Sequence, residues 1–211
     1  MGDPDPPAPR VAVFIDWQNC YRTARDAFGF RGSGIDGNVY PFKLALALAR
    51  ARPNGPKGTL ERLRIYSGRA SQQQDSRTYA ANRRQFAAWA AANPCVEVVA
   101  RTLDYTLGRP REKGIDVQLA IDLVRTSLFR GEHDVAILVS ADTDLVPALE
   151  LIVKERGREA IEVATWHGPY WAPKPLAVHG VVIRQIELTR PVYDKIADPT
   201  DYGVGRTRPA P

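Results

Sequence analysis

VAVFID, Val11 to Asp16, sets five apolar residues in a row and closes them on an acid. A strand with one wet face would alternate apolar and polar residues. An uninterrupted run of this kind reads instead as a strand buried on both faces of a parallel sheet. A second run of the same character, DVAILVS at Asp134 to Ser140, is followed by Ala141, Asp142 and Asp144. Two core strands that both end in aspartate are the feature around which the rest of the chain is read.

Working outward, Trp17 to Phe28 reads as a helix and the glycine-rich Gly29 to Gly37 as a loop. Asn38 is expected to cap a helix running to about Arg52, with Pro41 tolerated in its first turn. After a loop at Pro53 to Gly58, Leu60 to Tyr66 reads as a strand and about Ser71 to Ala92 as a long polar-faced helix. Cys95 to Leu103 is the next strand, Gly108 to Gly114 a charged loop, and Ile115 opens a helix that ends by Gly131. Asp144 is expected to cap the helix after Asp134 to Ser140, with Gly157 stopping it, and Glu159 to Thr165 is a further strand. Trp166 to Pro175 is an aromatic, proline-rich loop, and Val181 to Leu188 is compatible with either strand or helix. Strands separated by helices of this length predict right-handed β-α-β units, hence a mainly parallel sheet between two helical layers. Residues 10–197 are taken as one domain, flanked by disordered tails at 1–9 and 198–211.

Composition narrows the class. With 211 residues and 44% apolar content, the chain can build one substantial core. Nothing approaches the roughly 18 consecutive apolar residues of a membrane span. The acidic, proline-rich Met1 to Pro9 lacks the basic start and apolar centre of a secretory signal, so a cytoplasmic location is expected. Cys20 and Cys95 are isolated, and His133, His167 and His179 have no partner at ligand spacing, which disfavours a zinc site. The formal charge of +5 is compatible with a nucleic-acid partner without demonstrating one. No oligomeric state is encoded in these features, and a homodimer stays open.

In open α/β sheets, ligands bind outside the carboxyl ends of the strands, where Asp16, Asp142 and Asp144 fall. Crowded, half-buried carboxylates resist ionising unless a hard divalent cation supplies compensating charge. Oxygen-only ligands suit Mg²⁺ or Mn²⁺. Aspartate after a strand is also a common helix cap, and Asp144 is the member best suited to that second role. Asp116, in KGID, stands where a helix begins and its dipole favours a carboxylate or a bound anion. Asp122 lies about 240° further round a regular helix, so it faces the sheet as a supporting carboxylate or deeper ligand only if Asp116 precedes the first turn.

Three segments, FIDWQN, KGIDVQLAIDLV and LVSADTDLVPALE, the last followed by Gly157, resemble the NYN domain of the LabA-like group, relatives of PIN-domain nucleases. The similarity spans roughly Val11 to Thr165 and rests on all three segments in this order. It implies a PIN-like, Rossmann-like α/β/α sandwich that holds Mg²⁺ or Mn²⁺ and hydrolyses RNA, single-stranded or structured. By position, Asp16, Asp116, Asp142 and Asp144 match the family's catalytic and metal-binding acids. Asp122 matches the acid within the middle helix and Asn19 the motif asparagine, with Ser140 in support. Ala141 departs from the glycine common in the S-G-D-x-D turn, and Trp17 from the small residue of many relatives.

Arg109, Arg111 and Lys113 precede Asp116 and are candidates for the RNA backbone, although a solvated loop would look the same. Arg69, Arg77, Arg83 and Arg84 would extend that surface, although a polar helix face needs no ligand, and Trp166, Tyr170 and Trp171 would stack on bases, pack in the core or meet a partner. DTDLV also resembles the D-x-D of haloacid-dehalogenase-like phosphatases, but too little chain follows it. A Toprim-like site expects Glu where Asp16 stands. The alternative from another class is a catalytically weak NYN module that binds RNA or a protein as a regulatory adaptor.

Overall fold

A computed structural model describes residues 7–32, 34–51, 57–178, 180–203 and 206–207. In chain order the elements are β1 Arg10–Asp16, α1 Trp17–Phe28, α2 Pro41–Arg50, β2 Thr59–Arg69, α3 Ser76–Ala90, β3 Val96–Thr102 and α4 Ile115–Arg125. These are followed by β4 Val135–Val139, α5 Val146–Arg156, β5 Ile161–Trp166, β6 Arg184–Leu188, α6 Arg190–Ile196, β7 Thr200–Asp201 and β8 Arg206–Thr207. The main sheet has six strands in the order β3-β2-β1-β4-β5-β6, every pair parallel. From β1 the chain winds outward to β3, then returns to place β4 on the other side of β1. That reversal opens a crevice between β1 and β4, the position at which such sheets bind ligands.

Each face of the sheet carries its own core. Val11, Val13 and Ile15 of β1 pack with α1, α2 and α6 through Ala24, Leu44, Leu48, Tyr193 and Ile196. Ala12 and Phe14 pack on the opposite side with α4 and α5 through Leu119, Leu123, Leu149 and Ile152. Burial on both faces accounts for the unbroken apolar runs of β1 and β4, each fully buried side chain contributing about 1.5–3 kcal/mol. By strand alternation Asp16 continues the row of Ala12 and Phe14, the face covered by α4.

Several elements differ from expectation. Asn38 does not cap α2: Tyr40 precedes Pro41 without a side-chain cap, while Asn38 is buried and its carbonyl accepts from the Asp198 amide. The long polar helix starts only at Ser76, because the Asp75 side chain caps it through the Thr78 amide at 2.9 Å. Of Val181 to Leu188, Arg184–Leu188 forms strand β6, paired along β5, and α6 follows it. The expected tail from Asp198 starts as packed chain: Asp198 is buried, Thr200–Asp201 pairs antiparallel with Arg206–Thr207, and Arg84 bonds the carbonyls of Tyr202 and Gly203. The expected tail at 1–9 and the loop at Pro53 to Gly58 lie mostly outside the described residues, as do residues 208–211. Among the described residues no helix is long and apolar enough to cross a membrane.

Candidate metal centre

Asp16 ends β1 and caps α1. Its Oδ1 accepts from the Asn19 amide at 3.1 Å, and its Oδ2 accepts from Ser140 Oγ at 3.1 Å. Ser140 directly follows β4, whose Val139 is registered against Ile15, so parallel pairing delivers Ser140 opposite Asp16. The Ser140 hydroxyl also accepts from the Asp142 amide at 3.1 Å, and Asn19 Oδ1 accepts from the Ala141 amide at 2.9 Å. The two strand ends are thus stitched together by side-chain bonds on either side of the crevice. The loop keeps these bonds with alanine at position 141, and no described non-glycine residue has a positive φ.

Asp116 arrives from α4. Gly114 caps that helix at φ 73°, a left-handed conformation that suits glycine, and the turn sets Asp116 in the first turn facing the strand ends. Asp16, Asp116 and Asp142 each offer a carboxylate oxygen, and these three oxygens all lie within 4.8 Å of one another. Asp144 stands outside this group, exposed on the turn, although its charge reaches Asp116. It does not cap α5, which follows Leu145 with no side-chain cap; Asp142 instead caps the 3-10 turn Thr143–Leu145 that leads into it, its Oδ1 accepting from the Asp144 amide at 3.0 Å.

The electrostatics are those of crowded acids. Burial pushes the Asp16 carboxyl up to about 7, helped by Asp116 and Glu112 and opposed by the bonds from Asn19 and Ser140. Asp116 is raised by burial and then by Asp142 and Asp144. The strongest charges acting on both are carboxylates, so the neutralising partner is not a basic side chain. An all-oxygen donor set of this kind fits a hard divalent cation.

Asp122 is excluded from this centre. It is buried beneath it, taking hydrogen bonds from Tyr66 Oη and Gln118 Nε2, each at 3.2 Å, and Arg125 at 3.1 Å, with Arg64 at 3.4 Å. Two guanidinium groups satisfy it, so it braces α4 against β2. Glu112, which sequence reasoning passed over, sits beside the acids instead. Its Oε1 accepts from the Gly68 amide at 2.5 Å, and burial followed by Asp116 raises its carboxyl. Its position four residues before Asp116 was the available signal, but only the loop's fold turns it inward.

Arg109 and Arg111 are exposed on the loop leading into α4, which is closed by a bridge between Asp104 and Arg111. Lys113 is 80% exposed, with Asp104 at 3.7 Å. Trp166 is core, 1% exposed among Phe28 and Tyr193, its indole N–H directed to Cys20 Sγ at 3.4 Å. Tyr170 is exposed and Trp171 partly buried, while Arg69 lies over the Tyr79 ring.

The family model for the NYN domain matches residues 10–174, from the first residue of β1 through the aromatic loop. The chain belongs to the NYN domain family. NYN domains form part of the PIN-like nuclease superfamily, and the match contains every acid of the centre. No curated protein matches the sequence. Among solved structures, a protein of unknown function from Vibrio parahaemolyticus is similar at a TM-score of 0.52 and 19% identity, over 86% of this chain and 93% of that one. The likeness shows the α/β fold alone.

Proposed function

We propose that this NYN domain is a metal-dependent ribonuclease that hydrolyses RNA phosphodiester bonds. The observation that carries the reading is the trio Asp16, Asp116 and Asp142, converging within 4.8 Å at the reversal point of a parallel sheet. These three would hold Mg²⁺ or Mn²⁺, with Asp144 at the rim as a further oxygen donor. When bound, the ion supplies Lewis-acid stabilisation of charge at phosphorus and lowers the pKa of water. Ser140 and Asn19 fix the Asp16 carboxylate in place, so it need not reorganise during the reaction. The amides of the first turn of α4 favour an anion, and Arg109, Arg111 and Lys113 line the approach for the RNA backbone. We infer a cytoplasmic setting, supported by two free cysteines, one of them buried.

The test uses an end-labelled RNA with Mn²⁺ or Mg²⁺ and the wild type beside Asp16→Asn and Asp142→Asn. Cleavage should require the ion and fall at least about 100-fold in either variant. Cleavage that survives both substitutions sinks the proposal. RNA binding without any cleavage would identify a binding module in its place.

A further inference from the structure

A groove of about 480 Å³ opens between α1, α3 and the C-terminal strand segment. Gln18 and Tyr21 of α1 form one wall, Asn82 and Gln85 of α3 another, and Asp201 and Tyr202 the third. Gln18 is two residues from Asp16, so their Cα atoms lie within about 7.6 Å of each other. We propose that this groove receives an unpaired nucleobase of the RNA strand whose phosphate lies at the acids; this rests on the ribonuclease reading above.

The groove's chemistry selects that ligand. No Lys, Arg or His lines it among the described residues, and Asp201 contributes a carboxylate, so it disfavours a phosphate. What it offers are primary amides. Gln18 and Gln85 make no side-chain hydrogen bond among the described residues, yet both are partly buried. Asn82 uses its oxygen to accept from the Ala70 amide at 2.9 Å, which leaves its NH₂ free of a described partner. Paired donor and acceptor groups of this type match the edge of an unstacked base, and aromatic rings match its face.

The walls are also built rather than incidental. Tyr21 Oη donates to the Gly34 carbonyl at 2.8 Å and Tyr202 Oη to Asp198 at 2.8 Å, fixing both rings. Arg84 holds the Tyr202 and Gly203 carbonyls at 2.7 and 3.0 Å, tying the third wall to α3.

The experiment measures fluorescence anisotropy of the full chain in EDTA with labelled, unstructured RNA decamers carrying one abasic ribose at each successive position. One or two positions should show binding weakened about 5- to 100-fold against the intact RNA. The double substitution Gln18→Ala with Gln85→Ala should erase that difference, and circular dichroism should show an unchanged fold because neither amide has a partner among the described residues. Single Gln85→Ala should reduce it if the double variant folds poorly. Equal binding of every abasic RNA, no RNA binding, or a positional penalty unchanged in the variants overturns the subsite. Mn²⁺-dependent cleavage of the same RNAs separates the two claims. Cleavage with no positional penalty removes the groove and leaves the ribonuclease. A penalty without cleavage keeps the groove and removes the nuclease.

Discussion

Asn19 does at the scale of one residue what the crevice needs at the scale of two strands. Its amide bonds Asp16 and its side chain bonds Ala141, so one residue of α1 fixes acids delivered by β1 and by the loop after β4. Asn19→Ala strands the Ala141 N–H at a cost of about 1–3 kcal/mol, which urea denaturation should register. Asn19→Asp retains an acceptor for that amide while adding charge to crowded acids, so it should restore the bond without restoring Mn²⁺-dependent activity. His133 tests the opposite kind of burial. It is 1% exposed, beside Ser127 and edge-on to Phe14, and burial with Arg156 pulls its pKa down to about 4 from 6.5. Between those values the unfolded chain takes up a proton that the folded one refuses. Stability from this group is therefore full above pH 6.5 and falls as the pH drops toward 4, by on the order of 3 kcal/mol. Thermal melts across that window should show the loss, and His133→Gln should flatten the slope attributable to it.

The elements show what the chain disclosed in one dimension and what it withheld. β1 and β4 were readable because burial on both faces leaves an unbroken apolar run, and their terminal aspartates inherited that clarity. Asp122 was not, since its pairing with Arg64 depends on a contact between α4 and β2 distant in sequence. β6 was ambiguous for a related reason: as an edge strand it mixes Arg184, Gln185 and Glu187 with apolar residues and carries neither a strict alternation nor a continuous run. The cap expected of Asp144 is absent because a 3-10 turn, itself capped by Asp142, precedes α5 and moves the helix start to Val146. The aromatic loop offers an element-scale test. Its Gly168 passes so close to α1 that a Cβ would stand 2.6 Å from the Ala27 carbonyl carbon. Gly168→Ala must displace backbone there and should lower stability by about 1–3 kcal/mol, visible as a reduced Tm with the metal centre intact.

For the whole molecule, the acids are a place where the fold is held against its own preference. Without an ion, the protein keeps carboxylates together that would separate in the unfolded chain. Asp16→Asn in EDTA at pH 8 should therefore raise Tm, while removing the ion-dependent gain. In the wild type, an ion at one hundred times its Kd adds about 2.7 kcal/mol, or about 5–10 °C for a chain of this size. A variant with lower Tm in EDTA, or with the ion's gain retained, would show that crowding at Asp16 is not where the strain lies.

The sixth strand has a practical meaning for anyone who shortens this chain. The family match stops at residue 174, before β6 and α6. Every residue of β5 is buried, and β6 occupies its outer edge with a row that includes Arg184 and Glu187. A fragment cut at the limit of the match would present β5 as a bare, hydrophobic margin, a template on which other copies could zip. Such a fragment would keep every acid of the metal centre and should still precipitate, because the segment that keeps the sheet from recruiting neighbours lies beyond the part of the sequence the family shares.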